Sequence, residues 1–152
     1  MPAATAETLD SVFPDVMQKF AFSFGENCSK SELEAPAQGF VARVNFKGRE
    51  QGETLLVIPA EMGVELAANI MGLEPDSEEA QACATDSICE LANLVCGNLL
   101  QACAGSTPVF DLSAPEVAPL TPALWSELMG DDEVRPFLVD GVHPVLLKFR
   151  IQ

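Results

Sequence analysis

Apolar residues recur along the chain with periods that switch between those of helices and strands. Residues 5–19 carry apolar side chains at helical spacing, which predicts a first helix. Pro14 lies inside this pattern and is expected to kink or shorten the helix, because proline removes a backbone donor. The apolar positions are Leu9, Val12, Phe13, Val16 and Met17.

Residues 39–47 alternate well, with Phe40, Ala42, Val44 and Phe46 on one face and Arg43, Asn45 and Lys47 on the other. This period of two predicts a half-exposed strand. Residues 48–52 contain two glycines and predict a turn, and residues 53–58 form a compact β-rich run. The two runs are therefore expected to pair as neighbouring strands.

Two further helices are predicted in the middle of the chain. Pro59 suits the first position of a helix whose apolar residues continue at helical spacing until Gly72 offers a stop. A second start signal lies at Asp76 and Ser77, which precede acidic residues in a first turn. One helix is predicted to run from there to about residue 104.

The last third of the chain gives a mixed pattern. Residues 109–112 predict a short strand, whereas residues 113–132 are rich in proline and acid and predict no clear element. Trp125 lies in an apolar patch of that segment. It is either a partner contact or a buried plug, and burial is favoured because tryptophan is highly buried on average.

A hairpin is predicted at the end of the chain. Residues 134–139 and 142–151 flank Asp140-Gly141, a strong turn signal. The prolines inside both runs are expected at edges or bulges. Helices and strands in this order predict an α+β fold, with long helices packed against a mostly antiparallel sheet.

Composition sets the scale of the molecule. The chain has 152 residues, of which 48% are hydrophobic, and this predicts one domain over residues 1–152 with a real core. The first ten residues lack the basic and apolar regions of a secretory signal, and no apolar run approaches the roughly 18 residues that span a bilayer. A cytoplasmic location is expected.

The net charge of the chain limits the kinds of partner that it is expected to bind. Eight basic residues against 23 acidic ones give a net charge of −15, which repels phosphate backbones and anionic lipids. Nucleic acid and membrane binding are therefore not expected. The charge names no partner by itself, since it equally describes a well-solvated surface.

Metal and redox chemistry find little support. The only histidine is His143, and the cysteines form no Cys-x-x-Cys pair, so a zinc site is not expected. The cysteines are interpreted as small, buried, hydrophobic residues, and a redox role is the minor alternative. They are Cys28, Cys83, Cys89, Cys96 and Cys103.

The third predicted helix carries polar residues along one side. Asp86, Glu90, Asn93, Gly97 and Gln101 follow one another at spacings of three or four residues, which aligns them as a stripe. The stripe is expected to face solvent or a partner. The opposite side is predicted to be dry and consists of Ile88, Ala92, Val95, Leu99, Ala102 and Cys103.

The pattern Asp86-x-x-x-Glu90-x-x-Asn93-x-x-x-Gly97-Asn98 resembles the signature helix of the CheC/CheX family of bacterial chemotaxis phosphatases. The preceding strand at residues 55–59, the helix ending at residue 72 and the closing hairpin also resemble that family. The likeness extends over most of residues 5–151, without residues 113–132.

The resemblance implies a phosphatase that dephosphorylates the phospho-aspartate of a CheY-like response regulator receiver domain. Glu90 matches the glutamate that pairs with the receiver's active-site lysine, and Asn93 matches the asparagine that positions the attacking water. No cofactor is expected on this chain, and Mg²⁺ is expected on the receiver. A homodimer is also expected.

The chemistry of these residue types suits those roles. A carboxamide accepts a hydrogen bond from water while its amino group donates to a phosphoryl oxygen. Gly97 lies one turn beyond Asn93 and lets another chain approach closely, and Leu94 adds an apolar contact at the edge of the face. A Glu-x-x-Asn pair without this context is a solvated face in most proteins.

One departure from the family pattern points to a particular branch of the family. CheC-like members carry two such helices, but the second candidate here has Asn69 one residue too late after Glu65. One active face and the single-motif CheX-like branch are therefore expected. His143 has no nucleophile at a recognisable spacing, so a satisfied or exposed histidine is expected rather than a catalytic base.

A second class of function remains open. An exposed glutamate and asparagine serve recognition as well as catalysis. The alternative is a non-catalytic binding module of the same fold, which recognises a receiver domain or a flagellar-motor component or acts only as an assembly subunit.

Overall fold

The computed structural model describes residues 6–105 and 109–152, and in these ranges the chain forms five α-helices and seven β-strands. The helices are α1 (Ala6–Ala21), α2 (Ala60–Met71), α3 (Glu78–Ala82), α4 (Ala84–Ala104) and α5 (Pro122–Met129). The strands are β1 (Gly25–Asn27), β2 (Gly39–Lys47), β3 (Gly52–Pro59), β4 (Asp111–Leu112), β5 (Glu116–Pro119), β6 (Arg135–Val139) and β7 (His143–Ile151).

The seven strands form one sheet in the order β1, β6, β7, β3, β2, β4, with β5 also paired to β2. Every ladder is antiparallel. The predicted pairing of β2 with β3 is confirmed, with a register that runs from Gly39 opposite Pro59 to Phe46 opposite Gly52. The predicted α+β fold with helices on an antiparallel sheet is therefore confirmed.

The predicted closing hairpin is also confirmed. Asp140 and Gly141 both have positive φ, at 53° and 72°, as the tight turns of hairpins require. Pro144 precedes the β3–β7 ladder, which begins at Leu146, and Pro136 lies just outside the β1–β6 ladder. The expectation of edges or bulges was wrong, because both prolines lie in interior strands, Pro136 between the Cys28 amide on one side and β7 on the other.

One face of the sheet is covered by α1, α2 and α4. Alternation along the strands directs Ala42, Val44 and Phe46 of β2 into this layer, together with Leu56 and Ile58 of β3. They pack against buried side chains of α1 and α4. This layer fixes α4 against the sheet and leaves its other side outward.

The opposite face of the sheet is partly covered by α5. Trp125 is only 7% exposed and packs with Leu128 of the same helix against Leu55 and Val57 of β3. The interpretation of Trp125 as a buried plug is confirmed. Residues 113–132 thus supply a strand and a helix that close the second face.

Two helix predictions were wrong in detail. α1 is not shortened by Pro14 and continues to Ala21, because Phe13 and Met17 on either side of the proline are fully buried. Such burial, about 1.5 to 3 kcal/mol per large side chain, offsets a proline cost of about 3 kcal/mol.

The helix predicted from residue 76 to residue 104 is two helices that meet at Cys83. Of the two predicted cap candidates, Asp76 and Ser77, the structure has Ser77, whose hydroxyl accepts from the Ala80 amide. Ala80 of α3 packs on α2, and α4 packs on α1, α2 and the sheet. At α2, Pro59 is the N-cap residue rather than the first helical residue.

Candidate functional site

The polar stripe of α4 faces outward. Asp86, Glu90 and Gln101 are exposed, and Asn93 and Gly97 are half-buried. The other side of the helix is buried and consists of Ser87, Ile88, Leu91, Ala92, Val95, Cys96, Leu99 and Leu100. The predicted dry side was wrong for Ala102, which is exposed, and Cys103 is only half-buried.

The stripe's side chains are not used by the fold. Within residues 6–105 and 109–152, no side-chain hydrogen bond or ion pair joins Asp86, Glu90 or Asn93 to another residue. The nearest such bond is made by Asn98, whose Nδ2 donates to the Leu94 carbonyl at 2.7 Å. The carboxylates and the carboxamide therefore have their hydrogen-bonding capacity available to a partner.

Gly97 leaves a gap in the stripe. A Cβ atom built on Gly97 would meet no heavy atom within 4 Å. The glycine is thus not required by internal packing, although it costs the helix about 1 kcal/mol relative to alanine. The space is open to an approaching chain.

A shallow groove separates the stripe from α1. One part, of about 250 Å³, is lined by Asp15, Val16, Lys19, Phe20, Leu94 and Asn98. A second part, of about 420 Å³, is lined by Ser11, Val12, Asp15, Asn98, Gln101 and Ala102. Leu94, predicted to make an apolar contact, lies half-buried beside Phe20 in this groove. Sequence reasoning missed the α1 wall, because no local pattern says which helix packs beside α4.

The second candidate motif on α2 is engaged within the protein. Glu65 Oε2 lies 2.6 Å from Nε2 of His143, which is 5% exposed. Since an ionised carboxylate only accepts, the ring nitrogen donates. Asn69 Nδ2 donates to the Ala21 carbonyl at 3.1 Å. The expectation of one free face is supported, and His143 is a buried, satisfied histidine.

Burial raises the pKa of the three cysteine thiols on α4. Burial raises the pKa of Cys96, and the neighbouring Thr54 hydroxyl opposes this only in part. Burial also raises the pKa of Cys89, with a further increase from the Asp86 carboxylate, and of Cys103. A raised pKa lowers the thiolate fraction and hence reactivity. All five cysteines are free, but only Cys96 is fully buried, so the reading as buried thiols holds in full only there.

Metal-binding groups are not assembled in the described ranges. Residues 6–105 and 109–152 contain no cluster of three or more histidine, cysteine, aspartate or glutamate side chains that could hold an ion.

The expectation that no apolar segment could span a bilayer was wrong for α4 by length and composition alone. A stretch of 18 residues within this 21-residue helix has a mean hydropathy of 1.2, which only just suffices for a candidate span. Half of that segment is buried inside the protein, which is the property of a core helix.

Comparison with known proteins identifies a matching family and several structures with a similar fold. The family model described as chemotaxis phosphatase CheX matches residues 40–129. This match includes most of residues 113–132, so their exclusion from the family likeness was wrong. No curated protein sequence matches the chain.

Solved structures with a similar fold include three CheX proteins. CheX in the CheX–CheY–BeF₃–Mg²⁺ complex from Borrelia burgdorferi superimposes with a TM-score of 0.66 at 14% identity, covering 99% of both chains. CheX from Desulfovibrio desulfuricans gives 0.67 at 12% identity, covering 97% and 98%. CheX from Vibrio vulnificus gives 0.63 at 18% identity, covering 94% and 97%. At these identities the likeness shows a shared fold.

Proposed function

The chain belongs to the CheX family of chemotaxis phosphatases, and from that premise we propose that it removes the phosphoryl group from the phospho-aspartate of a CheY-like receiver domain. The observation that carries the proposal is the pair Glu90 and Asn93. Both project from α4 toward solvent without an internal partner among the described residues. The structural relative from Borrelia burgdorferi was solved with CheY, which supports a receiver as the partner.

Asn93 is the proposed catalytic residue. Acyl phosphate hydrolysis passes through a loose transition state, so catalysis consists mainly of holding water in line with phosphorus. The Asn93 carbonyl oxygen accepts from that water, and its amino group donates to a phosphoryl oxygen. Its half-buried position on a packed helix limits the rotamers of the side chain and supports this orienting role.

Glu90 is the proposed docking residue. Its carboxylate pairs with the receiver's active-site lysine, and such a charge-assisted bond contributes about 1.5 to 3 kcal/mol when it is desolvated. Asp86, Leu94 and Gly97 form the surrounding contact. In this mechanism Mg²⁺ belongs to the receiver, and the chain supplies no metal ligand.

The proposal includes a cytoplasmic location, where receiver domains act, and a homodimer. The strands β1 and β4 end the sheet and offer unpaired edges for association. Sedimentation equilibrium measures the oligomeric state, and a monomer at all concentrations would contradict the dimer without touching the phosphatase assignment.

The decisive experiment follows the decay of phosphorylated CheY-like receivers with Mg²⁺, with and without this protein. We expect acceleration by the wild type and loss of that acceleration in Asn93→Ala at matched concentration. Equal acceleration by both proteins would exclude Asn93 as the orienting group. A protein that binds the phosphorylated receiver without accelerating its decay would be a recognition module instead.

A further inference from the structure

The loop between α1 and β1 presents two aromatic side chains to solvent. Phe22 is 74% exposed and Phe24 is 68% exposed. Phe22 also has a φ of 55°, the left-handed conformation that a residue with a Cβ atom adopts only at an energetic cost. The left-handed conformation at Phe22 ends α1, a position that glycine usually takes, whereas the exposed ring itself adds no burial to the fold.

The loop is firmly held, so its exposure does not come from a loose chain. The Ser23 amide donates to the Met17 carbonyl at 3.2 Å. The Phe24 amide donates to Asp140 Oδ1 at 2.9 Å, and the Asp140 amide returns a bond to the Phe24 carbonyl at 2.7 Å. Asn69 binds the Ala21 carbonyl just before the loop. Bonds to three separate elements thus fix the backbone that carries the two rings.

The register of α1 against α4 brings this loop beside the polar stripe. Ser11 and Val12 share one part of the groove with Gln101, and Phe20 shares the other part with Leu94. The two helices therefore run antiparallel. Continued by two residues, the same register sets Phe22 level with the turn between Glu90 and Asn93. Packed helices lie about 8 to 10 Å apart, within the width of one partner.

The stripe alone is too small to hold a partner. From Asp86 to Gln101 it is about 22 Å long and about 10 Å wide, on the order of 200 Å². A specific interface covers about 800 Å² on each side, and its strongest contacts are commonly aromatic. The flanking surface on α1 and its following loop is continuous with the stripe and supplies aromatic rings.

We infer that Phe22, with Phe24 at its margin, is an aromatic anchor for the same receiver domain that docks on Glu90 and Asn93. This inference rests on the proposed function. Phe22 provides apolar binding energy, and the strained, well-held loop sets its position in advance, which reduces the ordering cost of binding. The stripe supplies the chemistry and the loop supplies much of the affinity.

The test compares Phe22→Ser with Val109→Ser. Val109 is 82% exposed but lies beside Gly48 in the β2–β3 turn, at the other end of the sheet. A panel of CheY-like receivers is phosphorylated with acetyl phosphate and Mg²⁺, and kcat and KM are measured together with Kd for the beryllofluoride-activated receiver. Phe22→Ser is expected to raise KM and Kd about tenfold with kcat within about twofold, and Val109→Ser to change neither.

Phe22→Gly separates docking from folding. Glycine adopts positive φ without cost, so this variant is expected to melt at a higher temperature than the wild type while losing the same affinity as Phe22→Ser. A higher Tm with weaker binding excludes damage to the fold as the cause.

The outcomes distinguish this inference from the proposed function. Unchanged KM and Kd in Phe22→Ser, with an active wild type, would overturn the anchor and leave the phosphatase assignment intact. A wild type that neither binds nor dephosphorylates any receiver would overturn both. Unchanged receiver binding with loss of a dimer in sedimentation would assign the loop to a second copy of the chain and also overturn the anchor.

Discussion

The helices α2 and α4 carry nearly the same pair of polar residues, yet the fold treats them differently. On α2, Glu65 binds the buried His143 and Asn69 binds the Ala21 carbonyl. On α4, Glu90 and Asn93 make no hydrogen bond or ion pair within the described part of the chain. One pair connects elements of the fold, and the other stays available to solvent or to the proposed partner.

The difference shows that the same two residue types can either stabilise the fold or stay available for binding. A hydrogen bond inside the protein contributes about 1 kcal/mol to folding, and its residues are then unavailable to a substrate. A solvated pair contributes nothing to folding but keeps its full capacity for a partner. Substitutions on α2 should therefore change the stability of the protein, whereas the equivalent substitutions on α4 should change kcat or KM.

The largest expected contrast is between Asn93→Ala and Asn69→Ala. Removing one orienting group is expected to lower kcat for receiver dephosphorylation about 10² to 10³-fold in Asn93→Ala, with the free energy of unfolding changed by less than about 0.5 kcal/mol. Asn69→Ala should keep kcat and lose about 1 kcal/mol of stability, because the Ala21 carbonyl loses a donor. Stopped-flow assays and urea unfolding measure the two quantities. Similar kcat values for both variants would erase the contrast.

Substitution of the two glutamates should also affect different quantities, KM for Glu90 and stability for Glu65. Glu90→Ala is expected to raise KM about 10 to 100-fold through loss of the charge-assisted bond to the receiver, with stability unchanged. Glu65→Ala is expected to cost about 1 kcal/mol of stability, since His143 is buried and loses its acceptor. Water partly compensates there, because the Glu65 side chain is 46% exposed. A KM change in Glu65→Ala that matches Glu90→Ala would show that α2 also forms part of the docking face.

The smallest contrast concerns one glycine on each helix. A Cβ on Gly97 would meet no atom within 4 Å, whereas a Cβ on Gly63 would come within 2.8 Å of Ile88 Cδ1. Gly97→Ala should therefore stabilise the free protein by about 1 kcal/mol while it raises KM, because the added methyl lies where the receiver approaches. Gly63→Ala should destabilise by about 1 to 3 kcal/mol through overpacking. Thermal unfolding with matched kinetics tests both. An unchanged KM in Gly97→Ala would remove Gly97 from the contact surface.

Local patterns predicted those parts of the fold that depend on neighbours in sequence. The alternation in β2, the turn before β3 and the Asp140-Gly141 hairpin are set by side-chain period and backbone preference over a few residues. The same holds for the Ser77 cap and the buried side of α4. Patterns failed at Pro14 inside α1, where distant contacts outweighed the local cost, and they did not indicate the break beside Cys83.

The candidate site likewise has some features that local sequence patterns predict and others that depend on distant contacts. The spacing of Glu90, Asn93 and Gly97 on one stripe follows from the period of a helix, so the sequence by itself determined which residues share that face. The α1 wall at Phe20 and the exposed loop at Phe22 depended on which helix packs beside α4. The tertiary structure alone also decided that Glu65 and Asn69 form hydrogen bonds within the protein, whereas Glu90 and Asn93 form none among the described residues. Helix period acts over one or two turns, but a hydrogen-bond partner is chosen by the packing of the whole sheet and its helices.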